Sequence, residues 1–278
     1  MERRFDELAM PRYVDPGESR AGFVFTHAAT GTKAFNVDVF DAGESHHFTF
    51  VLGVPGFRPD YADVDFDAIY DADELVRHDD KSIHEALMGL PCCSSNGEGD
   101  DRDGAINVVL IGAGTELRLA LLRSNWEETS DAASADSTAD FFFGRRQDAI
   151  FRYQSFVDDS SYELRLWLTP MLHGEDRVWA GQVRHFYRRV TSITRFDPDV
   201  DHARYFLMQN MLYGQAIARI GWVSGAEVVP VDSFWTNLFR PPFFTDGYRL
   251  VLWLSGDPIS VSEAEAIDWD EPPGRADQ

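Results

Sequence analysis

The sequence predicts an α+β fold: an N-terminal antiparallel β-layer followed by an α/β sandwich with a mainly antiparallel sheet and helices on one face. Three observations carry that expectation. Apolar and polar residues alternate over residues 21–54, as a half-buried sheet requires. Apolar runs such as Val108–Ile111 and Leu250–Leu254 have the length of buried strands. From Ile106 the elements follow the order β-α-β-β-α-β with one further strand, which suits two helices packed on one sheet face.

The early alternation (Phe23, Phe25; Phe35, Val37, Val39; Phe48, Phe50, Leu52), broken at Thr30-Gly31 and Ala42-Gly43, predicts a three-stranded meander. Ile83, Ala86 and Leu87 have the spacing of a short amphipathic helix that stops at Gly89 and Pro91. SSNGEGDDRDG, from Ser94 to Gly104, is polar throughout and predicts an exposed loop at a domain seam. Ile106–Ile111 then reads as a strand, Gly112-Ala113-Gly114 as a tight turn with Thr115 as helix N-cap, and Leu117–Arg123 as a helix. The stretch Ser130–Asp140, rich in Ser, Ala and Asp, predicts a second exposed loop. Strands follow at Ala149–Tyr153, Leu164–Leu168 and Val178–Val183, the last two joined as a hairpin around His173-Gly174. Asp197-Pro198-Asp199 opens a long helix to about Tyr213, and Ile217–Val223 and Tyr248–Leu254 complete the strands. The expected partition is an N-terminal extension (1–20), a β-rich region with a short helix (21–93), an exposed loop (94–104), an α+β domain (105–256) and an acidic, loosely held tail (257–278).

Charge narrows the function classes. With 47 acidic and 25 basic residues the chain carries −22, which repels phosphate backbones and makes nucleic acid an unsuitable partner. Only Lys33 and Lys81 are lysines. No run approaches the roughly 20 apolar residues of a membrane span, and MERRFDELAM has no apolar segment behind it, so a cytoplasmic protein is expected. Cys92 and Cys93 are adjacent; the expectation is a reduced, shielded pair acting as small hydrophobic side chains, with a reactive or metal-binding thiol pair as the alternative.

The ordered blocks GFVFT (22–26) with GTK (31–33), VPGFRPDY (54–61), LPCC (90–93), NVVLIG (107–112), FGRRQD (143–148), LRLW (164–167), FDPDVDHAR (196–204) and FTDGYRLVLWLS (244–255) resemble the LssY C-terminal-domain family. The resemblance runs from about Gly22 to about Ser255 and places the 105–256 domain in that family. It implies a domain that is in some architectures fused to a membrane lipid-phosphatase module, and through it a link to envelope or lipid metabolism. It implies no established activity. The chain departs from the pattern: Arg146 stands where the family has Pro, Tyr162-Glu163 where it has a His, and Arg195-Phe196 where it has a His before the Asp-Pro-Asp-Val-Asp run. The missing imidazoles weigh against acid-base chemistry.

Two constellations remain as candidate sites. Arg145, Gln147 and Asp148, with Arg165 and Arg184, form a candidate anion site, since guanidinium forks grip carboxylate or phosphate in pairs of bonds. The alternative is internal pairing of those arginines with Asp148, Glu163 or the acids of the long helix. Asp197, Asp199 and Asp201 are candidate ligands for a hard divalent cation, although the EF-hand pattern fails at His202 and Met208. Their structural alternative is that Asp197 caps the helix, Pro198 takes its first position and the other acids complement its dipole. Gly112-Ala113-Gly114 lacks the third glycine of a dinucleotide fingerprint, and His46-His47 point to opposite strand faces. The expectation is a ligand- or partner-binding accessory module without a cofactor; the alternative is a phosphoester hydrolase using a divalent cation on the three aspartates.

Overall fold

The computed structural model describes residues 7–25, 31–96, 102–130, 140–155, 157–188, 194–232 and 242–272. The chain divides into two units, residues 1–30 and 31–278. In the first, Ala9 and Phe23 form a parallel bridge, with Phe23 N donating to Leu8 O at 2.8 Å.

The second unit holds sixteen strands and three α-helices among its described residues. In chain order these are β1 (Lys33–Asp41), β2 (Glu44–Leu52), β3 (Val76–His78), α1 (Asp80–Met88), β4 (Cys93–Ser95), β5 (Arg102–Ala105) and β6 (Val108–Ile111). There follow α2 (Gly114–Arg123), β7 (Glu127–Glu128), β8 (Phe141–Phe142), β9 (Arg145–Arg146), β10 (Ala149–Gln154), β11 (Ser161–His173) and β12 (Asp176–Arg188). The last are β13 (Thr194–Phe196), α3 (Val200–Tyr213), β14 (Ile217–Val223), β15 (Arg249–Leu254) and β16 (Glu265–Ala266). The architecture is α+β and dominated by strands.

The main sheet runs β16-β14-β15-β6-β12-β11-β10-β7, with β13 on β12 and β3 on β11. Its pairings are antiparallel except β6 with β15, β3 with β11 and β14 with β16. Alternation along the strands separates two cores. Val108 and Leu110 of β6, Leu164, Leu166 and Leu168 of β11, and Leu250 and Leu252 of β15 meet Leu117 and Leu121 of α2 and Leu207 and Met211 of α3. On the opposite face Val109, Ile111, Trp167, Val251 and Trp253 meet Ile83 and Leu87 of α1. The sheet is therefore covered on both faces, not one, because Ile83 and Leu87 are wholly buried and each contributes about 1.5–3 kcal/mol of apolar burial.

Other differences from the sequence-based expectation have local causes. The early layer is a two-stranded hairpin rather than a three-stranded meander: β1 and β2 turn at Ala42-Gly43, where φ of +49° and +90° makes the tight two-residue turn such hairpins favour. Phe23 and Phe25 lie in the other unit, and Thr30 lies outside the described residues. The ends of SSNGEGDDRDG are strands, β4 and β5, and Ser94 is buried. Gly104 permits this, since a Cβ there would clash with the Gln182 side chain. The second loop largely lies outside the described residues, but Asp140 at its end is fully buried. Thr115 is not the N-cap of α2; that position is Ala113, whose N–H donates to Glu116 at 3.0 Å. The segment after Ser255 docks instead of trailing: β16 joins β14, Trp269 packs on Trp253, and Asp270 accepts from Ser224 N at 2.7 Å.

Cys92 and Cys93 are joined as a vicinal disulfide, contrary to the expected reduced pair. The chain is fixed on either side of them, Arg249 holding the Leu90 and Pro91 carbonyls and Ile106 N holding Cys92 O, and in that frame the two sulfurs meet. The folded protein is expected to show no reaction with a thiol reagent until a reductant is added, and then to release two thiols per chain; immediate labelling without reductant would contradict the bridge.

Candidate functional site

The arginines of the candidate anion site are paired from within, although Arg145 Nε and Arg184 Nε are buried without a hydrogen-bond partner among the described residues. Arg145 donates to Asp148 at 2.7 Å, to the Tyr70 hydroxyl at 2.8 Å and to Leu168 O at 3.1 Å. Asp148 also accepts from Leu168 N at 2.7 Å, which locks it against β11, and burial pushes its carboxyl above the usual range. The Gln147 Oε1 is buried without a hydrogen-bond partner among the described residues. Arg165 donates to Glu163 at 2.8 Å and pairs with Asp140, which Arg184 also reaches at 3.0 Å. Burial would raise Glu163, but Arg165 and Arg152 outweigh it and hold the carboxyl below its ordinary value. Asp140, Glu163, Arg165 and Arg184 are all buried, and these charges face one another.

The three aspartates at the start of α3 have separate tasks. Asp199, not Asp197, is the N-cap, its side chain accepting from His202 N at 2.9 Å. Asp201 is buried; it accepts from Thr245 Oγ1 at 2.9 Å and Asp246 N at 2.8 Å, and lies 3.3 Å from Arg204. Asp197 turns instead to His185, whose Nδ1 is 2.8 Å from its Oδ2. Asp199 and Asp201 are thus committed elsewhere, and the arrangement gives no support to one hard cation held by all three.

A different site is formed where α2, the sheet and the 3-10 turn Asp60–Asp63 come together. A cavity of about 390 Å³ is lined by Tyr61, Phe66, Leu117, Phe151, Leu168 and Trp179. Its walls are fixed by aromatic contacts: Phe66 meets Trp179 edge-on at 5.3 Å and Tyr61 stacks on Phe151 at 6.0 Å. Charged and polar groups also line it, namely Arg118, Arg177, Asp67 and Thr115. Arg118 is committed, donating to buried Glu128 at 2.7 Å and to the Tyr61 hydroxyl at 3.1 Å. Burial and the Glu128 carboxylate both push the Tyr61 hydroxyl far up, so it stays protonated and donates to Glu128. Arg177 is held more lightly. Its partner Asp67, at 2.9 Å, has a 92% exposed side chain, and such a pair contributes only about 0–1 kcal/mol.

The family described as LssY C-terminus matches residues 90–248. The chain belongs to this family. No curated protein and no solved structure matches it. The LssY C-terminus match takes in α2, the β10–β12 strands and α3, and with them the cavity residues Leu117, Arg118, Phe151 and Trp179. Tyr61 and Phe66, which form another part of the wall, precede the matched region. In this LssY C-terminus chain the departure at Tyr162 has a structural role, the ring stacking on Phe206 at 3.7 Å. The sequence alone did not single out the cavity residues. VPGFRPDY ends at Tyr61 on one of its walls, and Thr115, Leu117 and Leu168 stand in the sequence only as helix and strand positions.

Among the described residues no helix is long and apolar enough to cross a membrane.

Proposed function

We propose that this protein is a binding module for a small molecule with an apolar body and one acidic head. The observation that carries this is the aromatic-walled cavity of about 390 Å³ with Arg177 beside it, within the range of pockets that enclose small ligands. The apolar body lies against Phe66, Phe151, Leu168 and Trp179. The acidic head replaces Asp67 on Arg177, an exchange that costs little because the Asp67 carboxylate returns to water. Arg118 does not exchange, since freeing it would take the cation from the buried Glu128 carboxylate and leave it only hydroxyl donors. The anion-recognition role expected of arginine is thereby placed at Arg177 in this reading, while Arg145, Arg165 and Arg184 serve the fold.

Calorimetric titration with decanoate and with decanol tests the reading. Decanoate should bind once per chain and more tightly than decanol, and Arg177→Ala should remove that preference, a change of about tenfold for one charge-assisted bond. Thr115 is exposed on the cavity lining, so Thr115→Trp should block binding while leaving the unfolding midpoint unchanged. Failure of alkyl carboxylates of every length to bind saturably, or binding undiminished in Thr115→Trp, would contradict it.

A further inference from the structure

His185, Asp197 and His202 each present a ligand atom, and these atoms lie within 4.8 Å of one another. They come from three elements. His185 is on β12; Asp197 follows β13, with its N–H donating to His185 O at 2.9 Å, so the β12–β13 ladder sets the two side chains opposite each other. His202 is in the first turn of α3, oriented by the Asp199 cap. We infer that these three side chains form a binding site for a divalent transition ion of the zinc class, with two imidazole nitrogens and one carboxylate oxygen as donors.

The distances accommodate an ion, and the second imidazole is what a simple hydrogen-bonded pair leaves unexplained. Asp197 Oδ2 lies 2.8 Å from His185 Nδ1 and 3.7 Å from His202 Nδ1. Two donors bound tetrahedrally to an ion at about 2.0–2.2 Å stand about 3.4 Å apart, a value these two separations bracket. A His185–Asp197 hydrogen bond accounts for the first distance but not for a second imidazole turned edge-on beside it, with ring centroids 5.4 Å apart at 82°. The other Asp197 oxygen is occupied by Asp199 N at 3.1 Å, which leaves Oδ2 for the ion. The His185 ring is held in place by Tyr162, stacked at 4.6 Å and 19°. Side-chain exposure rises from 11% at His185 through 21% at Asp197 to 41% at His202, so one side of the cluster is open for water to complete the coordination.

Donor chemistry sets the class of ion. Imidazole suits zinc, cobalt, nickel and ferrous iron, whereas Mg²⁺ and Ca²⁺ require a shell of oxygens that one carboxylate does not provide. The inference does not depend on the cavity reading, and it shares only Asp197 with the three-aspartate expectation.

The test is titration of the full chain with Co²⁺ at fixed ionic strength and with excess Mg²⁺ present, which suppresses binding to the acidic surface. One Co²⁺ per chain should bind with a visible ligand-field band, and Zn²⁺ should displace it. His202→Gln and Asp197→Asn should each weaken binding by at least about tenfold, the scale on which even outer-shell partners act. His47→Gln on the β1–β2 hairpin, outside the cluster, should leave it unchanged. Should either ligand variant fail to fold, protection of His185 and His202 from diethyl pyrocarbonate by Zn²⁺ in the native chain decides the question. Absence of Co²⁺ uptake, uptake abolished by Mg²⁺, uptake equal in folded His202→Gln and Asp197→Asn, or unprotected histidines would each overturn the inference.

Discussion

Arg249→Met is expected to lower the stability of the protein by about 4 kcal/mol or more, a large share of the 5–15 kcal/mol that holds a typical domain folded. Arg249 is completely buried, and among the described residues no carboxylate is bonded to it. Its guanidinium donates to four backbone carbonyls, Ile106 at 3.1 Å, Leu87 at 2.9 Å, Leu90 at 3.0 Å and Pro91 at 2.9 Å. Leu87 is in the last turn of α1, where carbonyls carry partial negative charge, so the cation meets the dipole of a helix end. Burial pushes the guanidinium down to about 10, which still leaves it charged at neutral pH. Methionine fills the space but removes the guanidinium from all four carbonyls, of which Leu87 O keeps the Leu90 N–H at 3.3 Å. Arg249→Lys tests the geometry separately: one ammonium has three donors and no fork, so most of the loss should persist although the charge is kept. Urea unfolding followed by circular dichroism measures both variants, and a loss below 1 kcal/mol for Met would contradict the clasp.

Arg204→Met should cost about 3–5 kcal/mol, because it strands two buried carboxylates. Arg204 is fully buried and holds Asp246 through two bonds, at 3.0 and 2.7 Å, with Asp201 at 3.3 Å. The penalty should depend on pH in a defined direction. Burial raises the Asp201 carboxyl to about 6, with Asp246 adding to the rise and Arg204 opposing it. A carboxyl that binds its proton more tightly in the folded state stabilises that state below its unfolded value near 4, and the contribution is lost as pH rises through about 6. Without Arg204 the rise should be larger. The difference between parent and Arg204→Met should therefore be smaller at pH 4.5 than at pH 7.5, and an unchanged or inverted difference would show that Asp201 does not titrate there.

The elements that one segment specifies were legible in the sequence. Ile83, Ala86 and Leu87 announce α1 by spacing alone, and the apolar run at Val108–Ile111 announces β6. Internal pairing of Arg145 with Asp148 and of Arg165 with Glu163 could be named beforehand as an alternative, since all four lie within one short stretch. Asp140 could not, because its charge lies at the end of a Ser, Ala and Asp tract and only the fold brings it to Arg165 and Arg184. The meeting of His185 with Asp197 requires the β12–β13 register, which no local pattern encodes. The cavity draws its lining from the 60s, α2, β10, β11 and β12, so no window of sequence contains it.

The position of β15 between β14 and β6 also governs how the chain can be assembled. Leu250 pairs with Val108 and Trp253 with Ile111, while the family match ends at Tyr248, one residue short of this strand. A fragment cut at that boundary would leave β6 with a bare edge of four buried apolar residues, an open template for another chain. The same holds transiently on the ribosome. β6 emerges early and waits for a partner that is made after every other strand of the main sheet except β16, a non-local pairing that forms slowly. The middle of the sheet is consequently among the last parts of the molecule to close, and it is there, not at the periphery, that a nascent chain is open to the wrong partner.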